Sequence, residues 1–160
     1  MTTKTRRDAR RTTLLLAALV VLLDQLSKQW ALGALPAGVL RPWLPGLLGF
    51  QLVYNRGAAF SLLTGAPMFL ALVSAAVVIG LGWWVLRQPQ LRPTQVLALG
   101  LLLGGAAGNG LDRWRSGAVV DFLALVPIDF PVFNLADVAI NLAVVSFAID
   151  LLGNRGSHEP

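Results

Sequence analysis

Two aspartates, Asp121 and Asp137, stand in one of the least polar neighbourhoods of a very apolar chain. The stretches read Val119-Val120-Asp121-Phe122-Leu123 and Phe133-Asn134-Leu135-Ala136-Asp137-Val138. Hydrocarbon around a carboxylate disfavours its charged form and raises its pKa. Where two such groups share a site, one keeps a proton while the other ionises, an arrangement that activates water for attack on a carbonyl.

Other polar side chains are equally out of place in apolar runs. Asp24 and Lys28 lie one helical turn apart, acid before base, and form an expected ion pair. Unpaired, each would cost about 2.5–3.5 kcal/mol near the centre of a membrane span. Asn109, Asp112 and Arg113 share a helix face at spacings of three and four. Amide, carboxylate and guanidinium together favour a hydrogen-bonded network over a solvated fringe. Asn134, Asp137 and Asn141 repeat the pattern. There the bland alternative is that Asn134 caps a helix and Asp137 merely complements its dipole.

The composition says what must position these groups. Of 160 residues, 56% are hydrophobic and 13% charged, and the mean hydropathy is +0.68. Soluble domains carry about 25% charged residues, so these values describe an integral membrane protein. Cysteine is absent, and the single histidine, His158, lies in the polar tail. Thiolate chemistry is thereby excluded, and a histidine-held zinc has no ligand pair, so neither metal nor other cofactor is expected. The net charge of +5 reports orientation rather than nucleic-acid binding. Lys4, Arg6, Arg7, Arg10 and Arg11 precede the first apolar run, and Arg87 and Arg92 flank a short loop, as cytoplasmic segments do under the positive-inside rule.

Four stretches approach the roughly 20 apolar residues a spanning helix needs: about Thr12 to Leu35, Ala66 to Leu86, Thr94 to Leu111 and Leu135 to Leu152. The first is expected to be a retained helix rather than a cleaved signal, because Asp24, Gln25, Ser27 and Lys28 interrupt its apolar core. The expected fold is an all-α integral membrane protein: a four-helix transmembrane bundle, N-in and C-in, with a small extracytoplasmic β element. It forms one domain over 1–160, with a basic cytoplasmic tail at 1–11 and a polar one at 153–160. Connections 36–65 and 112–134 then face outward. Phe50 to Tyr54 has strand composition, and Trp43 and Trp114 suit interfacial anchors. Gly100, Gly104 and Gly108, four residues apart, allow close helix approach. The loop from Leu123 to Pro131 is the expected lid.

Five segments together resemble the lipoprotein signal peptidases, or signal peptidase II. They are Asp24-Gln25-Leu26-Ser27-Lys28; Asn55-Arg56-Gly57-Ala58-Ala59-Phe60; Gly104 to Asn109 with Asp112-Arg113; Val120-Asp121-Phe122; and Phe133 to Asp137. They span about 20 to 142. The resemblance implies a membrane aspartic endopeptidase with Asp121 and Asp137 as its catalytic pair, supported by Asp24, Lys28, Asn55, Asn109, Asp112, Arg113 and Asn134. Its substrates would be prolipoproteins with a diacylglyceryl cysteine, cut just before that cysteine. The enzyme would work as a monomer among the lipids of the bacterial inner membrane, its active site on the extracytoplasmic side. Gly57, Ala58 and Ala59 would let an extended peptide pass close to the backbone.

Two other function classes compete. A proton-coupled transporter would spread its acids through the depth of the bilayer, whereas Asp112, Asp121 and Asp137 cluster towards one end. A non-catalytic assembly factor would use the polar residues for packing alone. A Ser–Lys peptidase is disfavoured because Ser27 points to a different helix face from Lys28, and Ser61 lies on an outer loop.

Overall fold

The structure of the protein is a computed structural model that describes residues 3–57, 65–88 and 90–155, with side chains for 8–57, 65–88 and 90–153. Ala58, Ala59, Phe60, Ser61 and His158, and the side chains of Lys4, Arg6 and Arg7, lie outside the described residues.

Four helices, α1 (Thr3–Ala34), α2 (Pro67–Arg87), α3 (Pro93–Ser116) and α4 (Leu135–Arg155), pack together, and three strands, β1 (Arg41–Leu44), β2 (Leu48–Asn55) and β3 (Val119–Leu125), cover one end. Each helix contains a segment long and apolar enough to cross a membrane. Proline opens α2 and α3, where its missing N–H has no helical partner to lose. The outward faces carry large apolar side chains such as Leu15, Leu22, Ile79, Trp83, Val144 and Leu151, while Asp24 and Lys28 are buried. That is the polarity of a bundle solvated by lipid.

Helix α3 is central and packs on the other three. Its glycines meet α1 at matching spacing: Gly100 faces Leu16, Gly104 faces Val20 and Gly108 faces Asp24. A Cβ on Gly108 would sit 2.5 Å from Asp24 Oδ2, so only glycine lets the backbone pass that carboxylate. Gly105 plays the same part towards α4, against the Ala136 carbonyl.

The helices run further than their apolar stretches suggest. Helix α1 reaches back to Thr3, into the expected basic tail, and α4 runs on to Arg155. Helix α3 continues past Leu111 to Ser116 and places Asp112 and Arg113 inside it. Gly117 then adopts φ 70°, a left-handed cap whose N–H returns to the Arg113 carbonyl.

The sheet is antiparallel in the order β1-β2-β3. Strand β3 goes beyond the expected β element and takes Leu123 to Leu125 out of the expected lid. Leu123 and Phe133 exchange backbone hydrogen bonds of 2.8 and 2.9 Å, closing the neck of the remaining loop. Val120 and Phe122 pack with Ala31 and Leu52, and Trp30 meets Phe50 and Phe122 edge-on. The sheet is thereby seated on the end of α1.

Candidate active site

Strand alternation turns Asp121 to the face opposite Val120 and Phe122. The register Val53↔Asp121 and Asn55↔Val119 makes Asn55 its diagonal neighbour. Asn55 Nδ2 donates to Asp121 Oδ2 at 3.1 Å, and Asn134 Nδ2 donates to Asp121 Oδ1 at 2.6 Å. The side chain is almost wholly buried, at 2% exposure. Burial pushes its carboxyl up to about 7, and the nearby charge of Asp137 acts in the same direction.

Asp137 lies in the first turn of α4 and is partly exposed. Asn134 caps that helix: its Oδ1 accepts the Asp137 N–H at 3.0 Å, while Asp137 Oδ2 accepts the Asn134 N–H at 3.1 Å. This is a capping box with Asn and Asp in place of the commoner Ser/Thr and Glu/Gln. Asp137 Oδ1 accepts from Asn109 Nδ2 at 2.8 Å. The capping alternative is therefore true of Asn134, and it leaves Asp137 between two donors beside a second acid.

The orientation of Asn109 follows from Lys28. An ammonium only donates, so the oxygen of Asn109 must face it, at 2.9 Å, leaving the amide nitrogen for Asp137. Lys28 is 1% exposed and spends its other donors on Asp24 at 2.9 Å and Asp112 at 2.8 Å. The expected Asp24–Lys28 pair thus becomes a triad. Lys28 has no spare hydrogen with which to serve a serine nucleophile, and Ser27 donates to the Asp24 carbonyl.

Of the expected site residues, Asp24, Lys28, Asn55, Asn109, Asp112, Asp121, Asn134 and Asp137 form one connected network. Arg113 stands at its edge. Its guanidinium donates to the Gly57 carbonyl at 2.9 Å and to the Asn109 carbonyl at 3.4 Å, while Nε is buried without a partner. Asn141 is not part of the site; it is exposed and donates back to the Asp137 carbonyl. Sequence reasoning missed Gln25, whose amide donates to Asp112 at 2.9 Å and whose oxygen accepts from Arg115. Its place beside a buried acid–base pair was the available signal. No group of three metal-ligating side chains occurs among the described residues.

Four carboxylates (Asp24, Asp112, Asp121, Asp137) thus share their surroundings with two cations, Lys28 and Arg113. A model of the family described as signal peptidase (SPase) II matches residues 16–153. The chain belongs to the signal peptidase II family. It is similar to the lipoprotein signal peptidase of Synechococcus sp. (strain RCC307), 54% identical over 143 residues, covering 89% of this chain and 95% of the relative. That of Parasynechococcus marenigrum (strain WH8102) is likewise 54% identical, over 141 residues, 88% and 89%. A solved bacterial membrane enzyme structure superposes with TM-score 0.85 at 31% identity, over 92% of each chain. A second does so at 0.79 and 32%, over 88% and 92%. As a signal peptidase II, the chain is a multi-pass membrane hydrolase of the aspartic type that removes signal peptides from prolipoproteins.

Proposed function

We propose that Asp121 and Asp137 are the catalytic pair, and that the substrate is a prolipoprotein whose cysteine bears diacylglycerol and is cut on its N-terminal side. The observation that carries this reading is Asn134, which holds both carboxylates at once from the first turn of α4. Arg10, Arg87 and Arg92 mark the opposite end of the bundle, which the positive-inside rule assigns to the cytoplasm. The pair then faces the extracytoplasmic side of the bacterial inner membrane, where a signal helix ends and a lipidated cysteine begins. One chain supplies the whole network, so a monomer in contact with membrane lipid suffices.

The surroundings favour a division of labour. Asp137 sits in the first turn of α4 with both oxygens facing N–H donors and is the partly exposed member of the pair, open to water. Asp121 is more deeply buried and holds the proton. Asp137 takes a proton from water as the water oxygen attacks the scissile carbonyl carbon, and Asp121 gives its proton to the carbonyl oxygen. Collapse of the resulting diol breaks the C–N bond. The proton on Asp137 passes to the leaving amine, and a hydroxyl proton returns to Asp121. Arg113, Asn55, Asn109 and Asn134 supply donors that hold the substrate backbone and offset developing negative charge.

Cleavage of one diacylated and one unmodified proprotein tests the reading. Only the diacylated form should be cut, and Asp121→Asn or Asp137→Asn should each abolish cleavage while the protein remains folded in detergent. Comparable cleavage of the unmodified form would refute the substrate assignment.

A further inference from the structure

The buried triad reaches the catalytic pair through the backbone. Asp24 Oδ1 accepts the N–H of Ala136 at 3.1 Å, and Asp112 Oδ2 accepts the N–H of Val120 at 3.2 Å. Ala136 immediately precedes Asp137, and Val120 immediately precedes Asp121. Both accepting carboxylates are held by the one ammonium of Lys28, at 2.9 and 2.8 Å. The two arms are built alike, although one grips a helix start and the other a strand.

We infer that Lys28, Asp24 and Asp112 form a clamp that sets the separation of the two catalytic carboxylates, acting as positioning residues without touching substrate. The inference rests on the catalytic assignment above. Four observations support it. Lys28 and Asp24 are 1% and 0% exposed, leaving no surface for a peptide. Asp24 reaches from α1 to the second residue of α4, where an N-terminal N–H would otherwise be orphaned. Asp112 reaches across the Gly117 turn to a strand whose backbone pairs with β2 and Phe133, and adds a hold on β3 from α3. Gln25 steadies the Asp112 carboxylate from its other oxygen.

Position matters because a displacement of about 1 Å between reacting groups lowers the rate about 100-fold. Slackening one arm should therefore lower kcat and leave KM unchanged. It should also reduce the mutual repulsion of the pair. Asp121 faces Asp137 from α4, Lys28 from α1 and Arg113 from α3, and of these only Asp137 raises its proton affinity.

The test compares Asp112→Asn, which keeps an oxygen for the Val120 N–H, with Asp112→Leu, which does not. Kinetics on a diacylated proprotein should show kcat falling about tenfold or more for Leu and less for Asn, with KM within about twofold of the parent. The alkaline limb of the kcat–pH profile should move to lower pH in the same order. A variant with the Val120 amide replaced by an ester, made with α-hydroxyvaline, removes one N–H without disturbing any side chain and covers the case in which Asp112→Leu does not fold. A raised KM with intact kcat would make Asp112 a substrate contact and overturn the clamp. So would an ester variant with parental kcat and pH profile. Activity surviving in Asp121→Asn or Asp137→Asn would instead refute the catalytic pair itself.

Discussion

Asn134 and Asp137 bond each other twice, backbone N–H to side-chain oxygen in both directions, at 3.0 and 3.1 Å. The same Asn134 amide donates to Asp121 at 2.6 Å. One residue therefore ends a loop, starts a helix and bonds both acids. Replacing it with alanine should destabilise the fold by about 1–2 kcal/mol through the lost cap and lower kcat about 100-fold through the lost donor. Thermal unfolding in detergent and steady-state cleavage measure the two effects separately. A stable variant with parental kcat would remove Asn134 from the site.

On the proposed mechanism, the proton on Asp121 sets an alkaline limit to activity. Its carboxyl is raised to about 7, chiefly by burial and then by Asp137, so kcat should fall as pH rises through about 7. Stability follows the same sign. The folded state holds this proton more tightly than the unfolded chain, whose ordinary value is 3.8. The contribution is complete below that value and is lost as pH rises through about 7. Asp121→Asn should flatten this part of the stability–pH curve, and a variant curve parallel to that of the parent would contradict the assignment.

Gly108 should tolerate no side chain. In Gly108→Ala the new methyl would lie 2.5 Å from Asp24 Oδ2 and 3.5 Å from the Ala136 Cβ. Overpacking of this kind costs about 1–3 kcal/mol, here with loss of activity because Asp24 must move. A methyl on Gly80 in α2 would meet nothing within 4 Å, so Gly80→Ala should raise helix stability by about 0.5–1 kcal/mol at unchanged kcat. Unfolding and cleavage measured on both variants check the contrast.

At the far end, Arg92 pairs with Asp150 at 2.8 Å, and Thr94 and Gln95 donate to the same carboxylate. This joins the start of α3 to α4, well away from Asp121 and Asp137. Asp150→Asn should lower thermal stability by about 1 kcal/mol and leave kcat and KM unchanged. A large fall in kcat would show that the two ends of the bundle are coupled.

Much of this was legible in the sequence because membrane insertion makes polar residues conspicuous. Asp24, Lys28, Asn109 and Asp112 stand out against hydrocarbon, and the Gly100–Gly104–Gly108 ladder announces a close helix contact, though the identity of its partner, α1, comes only from the fold. Strand β3 is hidden because its apolar run is short and its partner β2 lies in a distant part of the chain. Helix α3 ends at Ser116 rather than near Leu111, because the charged turn Asp112-Arg113-Trp114-Arg115-Ser116 looks like the end of a span but is still helical. The amides of Val120 and Ala136 are invisible for another reason. A backbone N–H carries no sequence signature, and its use depends on which carboxylate the fold brings to it.

The Asp24–Lys28 pair also bears on how the chain is made. Helix α1 emerges first, before Asp112, Asn109 or the Ala136 amide exists to receive its buried charges. An acid and a base one turn apart cancel each other within the same helix, so the segment can partition into lipid as a neutral unit. Once α3 and α4 arrive, the same two side chains keep their local contact and add several distant ones, to Asp112, Asn109 and the Ala136 amide.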